Sequence, residues 1–210
     1  MIDDQKEQLI SYMKGRGLLK SPRLEQALRL IDRQDFIDAT HIDQAYHDHP
    51  LSIGFGQTIS QPSTVVFMLE QLDIEIGDKV LDVVSGSGWQ TALLAYLVGD
   101  SGKVIGMEIL PELIRRSKEV LQQYNFDHVQ IIHGDGYDGF SLSAPYDKII
   151  VAAASHEIPT SLMHQLKIGG RMIIPVGQGN QSLVLLEKIS NDRFQKRTFP
   201  GFIFVPLVKT

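Results

Sequence analysis

From residue 78 onward, short apolar runs alternate with stretches of helical period, and this alternation constrains the fold more than any other feature of the chain. Residues 79–84, 103–108, 129–133, 147–152 and 171–176 read as strands, and residues 88–98, 111–124 and 159–165 read as helices. Short strands that are apolar along their length and separated by helices imply a parallel sheet covered on both faces. Residues 181–207 read as several strands in succession, which implies antiparallel closure of that sheet. The expected fold class is α/β: a Rossmann-like, doubly wound, mostly parallel sheet with helices on both faces, an N-terminal helical region and antiparallel C-terminal strands.

Before residue 78 the pattern is different. Residues 3–15 form an amphipathic helix with Leu9, Ile10 and Met13 on one face, and Gly15 and Gly17 end it. Ser21 and Pro22 open a second helix, striped by Leu24, Ala27, Leu28 and Ile31. Residues 41–60 lose periodicity, gain His, Gly and Pro, and read as a structured loop. Ser60-Gln61-Pro62 then opens a helix through Val65, Val66, Met68, Leu69 and Leu72. At 210 residues and 43% hydrophobic, the chain can bury a full core. The expected organisation is a single domain over 1–210, with a helical and substrate-loop region at 1–77 and a cofactor-binding core at 78–210.

A net charge of −5 weighs against a dedicated nucleic-acid binder. The absence of cysteine excludes disulfides and thiolate metal sites. The N-terminal residues lack the basic start and apolar run of a leader, and no apolar stretch approaches the roughly 20 residues that span a bilayer. The expectation is a cytoplasmic monomer with no nucleic-acid partner and no membrane association.

Residues 79–95 run from an apolar strand through the turn Ser85-Gly86-Ser87-Gly88 into a helix. Glycines there let backbone approach a ligand, and the helix start offers amide donors. NAD, FAD and S-adenosylmethionine folds share this arrangement, but the turn lacks the G-x-G-x-x-G spacing of dinucleotide binders. Glu108 ends the second strand, 26 residues after Asp82, where a carboxylate can accept hydrogen bonds from both ribose hydroxyls. Asp135, between Gly134 and Gly136 after the third strand, can accept from an adenine amino group. Singly, Gly86 and Gly88 read equally as turn residues, Asp82 as a loop cap, Glu108 as a solvated strand end and Asp135 as a turn acid. Three acids at three successive strand ends look like the motif set of the class I methyltransferases.

The element Thr58-Ile59-Ser60-Gln61-Pro62 makes the resemblance specific. It is very similar to the T-I-S-Q-P element of the protein-L-isoaspartate O-methyltransferases. The resemblance continues in order through GSGWQTALLA, HGDGYDG, APYDKIIVAAA, EIPTSLMHQLKIGGRMIIPVG and FVPL, from about residue 15 to residue 207. It implies transfer of a methyl group from S-adenosylmethionine to the free α-carboxylate of isoaspartyl residues in damaged proteins or peptides, leaving S-adenosylhomocysteine. It further implies Ser60 at the methyl-transfer site, with Ile59 and Gln61 beside it on the acceptor. Asp82, Ser85, Gly86, Ser87, Gly88, Glu108, Asp135 and Gly136 match the cofactor-binding motifs.

The chemistry asks little of the protein. A carboxylate nucleophile is ionised well below neutral pH and needs no general base. A hydroxyl such as that of Ser60, at a helix start with free amides nearby, can hold the acceptor; equally, Ser60 can be an N-cap ahead of Pro62. Val84 stands where the family pattern usually has Gly, so either its backbone stays extended or the methionine end of the cofactor is crowded. Trp89, where the family often has Tyr, borders the cofactor or packs the core. His47, Asp48 and His49 suit no usual zinc spacing, and no metal is expected. His156 and Glu157 face either the site or solvent. Val208 follows FVPL where some relatives have Thr, so a cofactor contact from that region is expected to be missing. Two other readings stand beside this one: a carboxyl methyltransferase for a specialised peptide, and a cofactor- or peptide-binding homologue with little turnover. A nicotinamide oxidoreductase is disfavoured by the glycine pattern.

Overall fold

A computed structural model describes residues 2–209; Met1 and Thr210, the ends of the expected span, lie outside them. Helices α1 (Ile2–Gly15) and α2 (Pro22–Leu30) fall where the apolar stripes place them. Ile10 and Met13 of α1, and Leu24, Ala27 and Leu28 of α2, are buried together. The hydroxyl of Ser21 caps α2 by accepting from the amide of Leu24 at 3.3 Å. Two 3-10 turns follow, Arg33–Phe36 and Ala39–Gln44.

The stretch expected to be loop holds a hairpin instead, β1 (Leu51–Gly54) against β2 (Gln57–Ile59). Phe55 and Gly56 join the strands with φ of 56° and 71°. Two successive left-handed residues match the right-handed twist of a tight hairpin, and that is the turn this Gly-bracketed pair makes. Leu51 and Ile53 are buried while Ser52 is exposed, so the period-2 pattern is present but too short to stand out among the glycines. Helix α3 (Pro62–Leu72) follows and buries Val65, Val66, Met68, Leu69 and Leu72.

The remaining elements are β3 (Lys79–Val83), α4 (Trp89–Val98), β4 (Lys103–Glu108), α5 (Pro111–Leu121), β5 (Val129–His133), β6 (Tyr146–Val151), α6 (Thr160–Gln165), β7 (Leu166–Val176), β8 (Gln181–Ser190) and β9 (Arg193–Phe202). They differ from expectation mainly at their ends. Strand β3 stops one residue early, α5 gives way to a 3-10 turn at Gln122–Tyr124, and β7 begins at Leu166.

Seven strands form one sheet in the order β5-β4-β3-β6-β7-β8-β9. Neighbours from β5 to β7 are parallel, and β8 and β9 add antiparallel. Successive residues of the strands belong to different cores. Val80, Val104, Ile150 and Ile173 join the cluster that contains α1 to α4. Leu81, Ile105, Ile149 and Met172 join the cluster that contains Leu162 of α6. A strand alternates its side chains between faces, so the sheet is covered on both, as its near-continuous apolar runs require.

The chain winds outward from β3 through β4 to β5 and then returns to the other side of β3 as β6. The crevice of such a switch point lies beyond the carboxyl ends of β3 and β6. At the far edge, β9 is largely exposed and carries Arg193, Lys196, Arg197 and Pro200.

Candidate functional site

A cleft opens at that switch point. Its floor is the β3–α4 connection, Val84 to Ser87 with Trp89 and Gln90, and its wall is Glu108. Hairpin residues Gln57, Thr58 and Ile59 cover it, and Ala152 and Val205 close the side. Gln57, Val84 and Glu108 also border an outer lobe, formed further by Ile109, Leu110, Gly134, Gly136 and Leu207. Thr58, Ser60, Ala152 and Val205 border a third space, an open groove with Gln61, Ser63, Phe202 and Ile203. The three spaces are therefore neighbours, and Ser60 borders both the inner cleft and the groove.

The connection that makes the floor is bent by left-handed residues. Gly86 and Gly88 have φ of 53° and 89°. A side chain at Gly88 would put its Cβ 3.0 Å from Cβ of Ser117 on α5, so glycine there serves packing as well as the turn. Val84 also turns left-handed, with φ of 64°. The extended alternative for this residue is thereby overturned, and its branched side chain borders both cleft lobes.

The three acids play different parts. Asp82 is fully buried and lies on the α4 side of β3, out of the cleft lining. Its carboxylate accepts from Gln90 Nε2 and Thr91 Oγ1, both at 2.6 Å. Burial pushes its pKa up to about 6, the Thr91 and Gln90 hydrogen bonds oppose that, and the charge of Glu108 adds to it. Asp82 thus fastens the first turn of α4 to β3.

Glu108 is 2% exposed and borders both lobes. Its Oε1 accepts from the amides of Ile109 and Leu110 at 2.8 and 3.0 Å, and its Oε2 from the amide of Gly86 at 3.0 Å. Three of about four acceptor positions of the carboxylate are taken, which leaves one on Oε2 by count. Asp135 accepts from the amide of Tyr137 at 2.9 Å, a turn contact, while its neighbours Gly134 and Gly136 face the outer lobe. A Cβ at Gly136 would meet Leu207 and Val83 at 2.8 Å.

Ser85 Oγ, Trp89 Nε1 and Gln90 Oε1 are buried without a hydrogen-bond partner among the described residues, and all three residues wall the inner cleft. Buried polar atoms are nearly always satisfied, so this wall fits a ligand that carries both donors and acceptors. The amino-acid and ribose portions of S-adenosylmethionine are such groups. Trp89 is buried in the core and also borders the cleft.

The start of α3 departs from expectation. Its N-cap is Gln61, not Ser60, and Gln61 makes no side-chain cap. Asp48 does the capping from a distance, accepting from the amide of Ser63 at 2.9 Å and from Gln61 Nε2 at 3.1 Å. The amides of Thr64 and Val65 bond the carbonyl of Gln61, and Pro62 has no N–H. The free helix amides expected beside Ser60 are therefore already engaged, and the helix dipole is met by the Asp48 charge. Ile59 is buried and borders the inner cleft.

His47 and His49 stack edge to face, and among the described residues no group of three metal-binding side chains is assembled. His156 and Glu157 are exposed. The C-terminal segment supplies cleft contacts: Pro206, Leu207 and Val208 all border the outer lobe, held there by hydrogen bonds of 2.7 Å linking Ala154 to Val205 and Leu207.

Sequence reasoning missed Gln57, Gln90, Val205 and Leu207, together with the buried Arg33. The helical offset of Gln90 and Thr91 from Gly88, just inside α4, was the one available signal for the partners of Asp82.

Comparison with known proteins bears on the same residues. The family model described as protein-L-isoaspartate(D-aspartate) O-methyltransferase matches residues 4–210. A protein-L-isoaspartate O-methyltransferase of Archaeoglobus fulgidus is 43% identical over 205 residues, 98% of this chain and 93% of the relative. One from Methanothermobacter thermautotrophicus is 39% identical over 98% of this chain and 95% of its own length. Among solved structures, a protein-L-isoaspartate O-methyltransferase superposes with a TM-score of 0.89 at 26% identity, over 97% of this chain and 66% of the other. A Plasmodium falciparum protein assigned to the same activity, solved in complex with S-adenosyl-L-homocysteine, superposes with a TM-score of 0.86 at 27% identity, over 97% and 98% of the two chains. The likeness runs from the N-terminal helices to the segment that closes the outer lobe, and this chain belongs to the protein-L-isoaspartate(D-aspartate) O-methyltransferase family.

Proposed function

We propose that this chain transfers the methyl group of S-adenosylmethionine to the free α-carboxylate of an L-isoaspartyl residue in a protein or peptide. The observation that carries the reading is the position of Ser60, which borders both a cleft with unsatisfied polar atoms and a surface groove. One space takes the donor and the other takes a chain segment. Family membership and a relative bound to S-adenosyl-L-homocysteine support the same assignment.

The residues divide the work accordingly. The bound cofactor supplies an activated methyl group on a sulfonium. Ser85, Gly86, Ser87 and Glu108 hold it from the β3–α4 side, Gly136 and Leu207 close around its outer part, and Asp82 and Gly88 keep the connection in shape. Asp135 is the acid beside the outer lobe. Ser60 and Gln61 face the acceptor groove, and Ile59 lines the inner cleft beside them. Because an acceptor carboxylate is already ionised near neutral pH, Ser60 needs only to orient it, by donating its hydroxyl proton to one carboxylate oxygen. The hairpin over the cleft keeps water from the transfer.

Incubation with a labelled methyl donor and an isoaspartyl peptide, beside its normal aspartyl twin, tests the assignment. Label in the first alone is expected; label in neither defeats it. Ser60→Ala is expected to lower kcat/KM roughly 100-fold while S-adenosylhomocysteine affinity changes by no more than about 2-fold. Equal turnover in the two proteins removes Ser60 from the role. The left-handed Val84 favours a second reading, a homologue that binds cofactor with little turnover, and the same assay together with calorimetry separates the two.

A further inference from the structure

Arg33 is the largest of the fully buried side chains, 1% exposed. Its Nη1 donates to the carbonyl of Ala45 at 2.6 Å, and its Nη2 donates to those of His49 at 3.2 Å and Ser60 at 3.1 Å. The guanidinium carbon lies 5.4 Å from the centroid of the Trp89 ring. Burial holds its pKa down to about 10, and the nearby charge of Asp48 opposes that shift.

The three carbonyls belong to three different places. Ala45 follows a 3-10 turn, His49 precedes the hairpin, and Ser60 lies between β2 and α3. None of the three residues is inside a helix or strand, so secondary structure alone does not fix them. A planar fork of donors can join three acceptors in a set geometry, which an ammonium on a flexible stem cannot reproduce. Fixing the carbonyl of Ser60 restricts its backbone and so the direction of its hydroxyl. Trp89, under the same guanidinium, opens α4 and walls the cleft.

We propose that Arg33 is a positioning residue that sets Ser60 in register with the cofactor cleft, an inference that rests on Ser60 being the acceptor site. It touches neither the acceptor nor the cofactor. It holds the acceptor-side segment with its donors and the cofactor-side wall with its face. Asp48 holds the other end of that segment, so residues 60–63 are fixed between a buried cation and a carboxylate.

The test compares the wild type with Arg33→Lys and Arg33→Met in two readouts. The first is amide hydrogen exchange across residues 57–66, which needs no activity. Exchange there is expected to accelerate about 10-fold in both variants while strands β3 and β4 keep their protection. The second is steady-state kinetics with an isoaspartyl peptide: kcat is expected to fall roughly 30-fold or more, with KM for S-adenosylmethionine within about 3-fold of wild type, because misplacement by a fraction of an ångström damages alignment more than binding. Arg33→Lys keeps the charge and reaches one carbonyl, so it provides a folded variant if Arg33→Met does not. Unchanged exchange in a folded variant overturns the inference. So does faster exchange with unchanged kcat, which marks Arg33 as structural only. A wild type that methylates no isoaspartyl peptide overturns the functional assignment instead, and the exchange readout still decides whether Arg33 fixes the segment.

Discussion

Asp82 shows how a side chain can serve a site without entering it. It shares its side of β3 with Val80, the side that faces α4, so its carboxylate meets Gln90 and Thr91 and not the cleft. Its folded pKa of about 6 lies above the ordinary 3.8. A carboxyl shifted upward contributes stability that is fully present below about pH 4 and lost as pH rises through about 6. The loss is on the order of 3 kcal/mol for a shift of about two pKa units. Asp82→Asn carries no charge and has no such dependence. Urea unfolding at pH 4.5 and pH 7.5 is expected to show the wild type losing stability relative to the variant at the higher pH. A difference between the two proteins that stays constant with pH would mean that the folded-state pKa of Asp82 is not raised.

The sequence revealed that an acid sits after each of three strands; only the packing shows that one is a strut, one a cleft wall and one a turn residue. Arg33 was not legible at all. In the stretch Ile31-Asp32-Arg33-Gln34-Asp35 it is one charge among several, and its burial depends on segments that return from residues 45, 49 and 60. Ser60 was legible as a site residue, but its place just outside the helix cap depends on Asp48, which supplies the cap from twelve positions earlier in the chain.

Among the connections, the one between β3 and α4 carries the clearest conflict between local preference and position. Valine in the left-handed region costs on the order of 1–2 kcal/mol. Val84 accepts that conformation and places its methyl groups against both lobes of the cleft. Val84→Gly relieves the backbone and removes the side chain, whereas Val84→Ala retains a Cβ and removes only the two methyl groups. Tighter S-adenosylhomocysteine binding is expected in both variants, with a rise of about 1 kcal/mol in stability confined to Val84→Gly. Calorimetry that returns the wild-type affinity for both would dismiss crowding. The strand and helix identities around this turn followed from apolar period alone, because both faces of the sheet are covered. The β1–β2 hairpin escaped because a four-residue strand and a three-residue strand offer too few alternations to count.

The cleft draws on most of the chain: the hairpin, strand ends, the loop after β5 and the C-terminal segment all reach it. A ligand that binds across so many segments favours the folded state over the unfolded one. S-adenosylhomocysteine at about 100 times its dissociation constant is expected to add about 2.7 kcal/mol. For a chain of this length that corresponds to a rise in Tm of roughly 5–10 °C, readable in a thermal melt. A melt unmoved by the ligand would argue against the cleft as its site. The sheet order was implied by the strand–helix alternation, but the convergence of distant segments on one crevice follows from the return of the chain across β3, which no local pattern records.

The outer strand of the sheet has a consequence for the company this protein keeps. An extended segment of another chain can stitch onto any open ladder. With Arg193, Lys196 and Arg197 along it and Pro200 withholding a donor, β9 is a poor template for such stitching. The margin of the sheet therefore offers little for an extended segment of another chain to pair with.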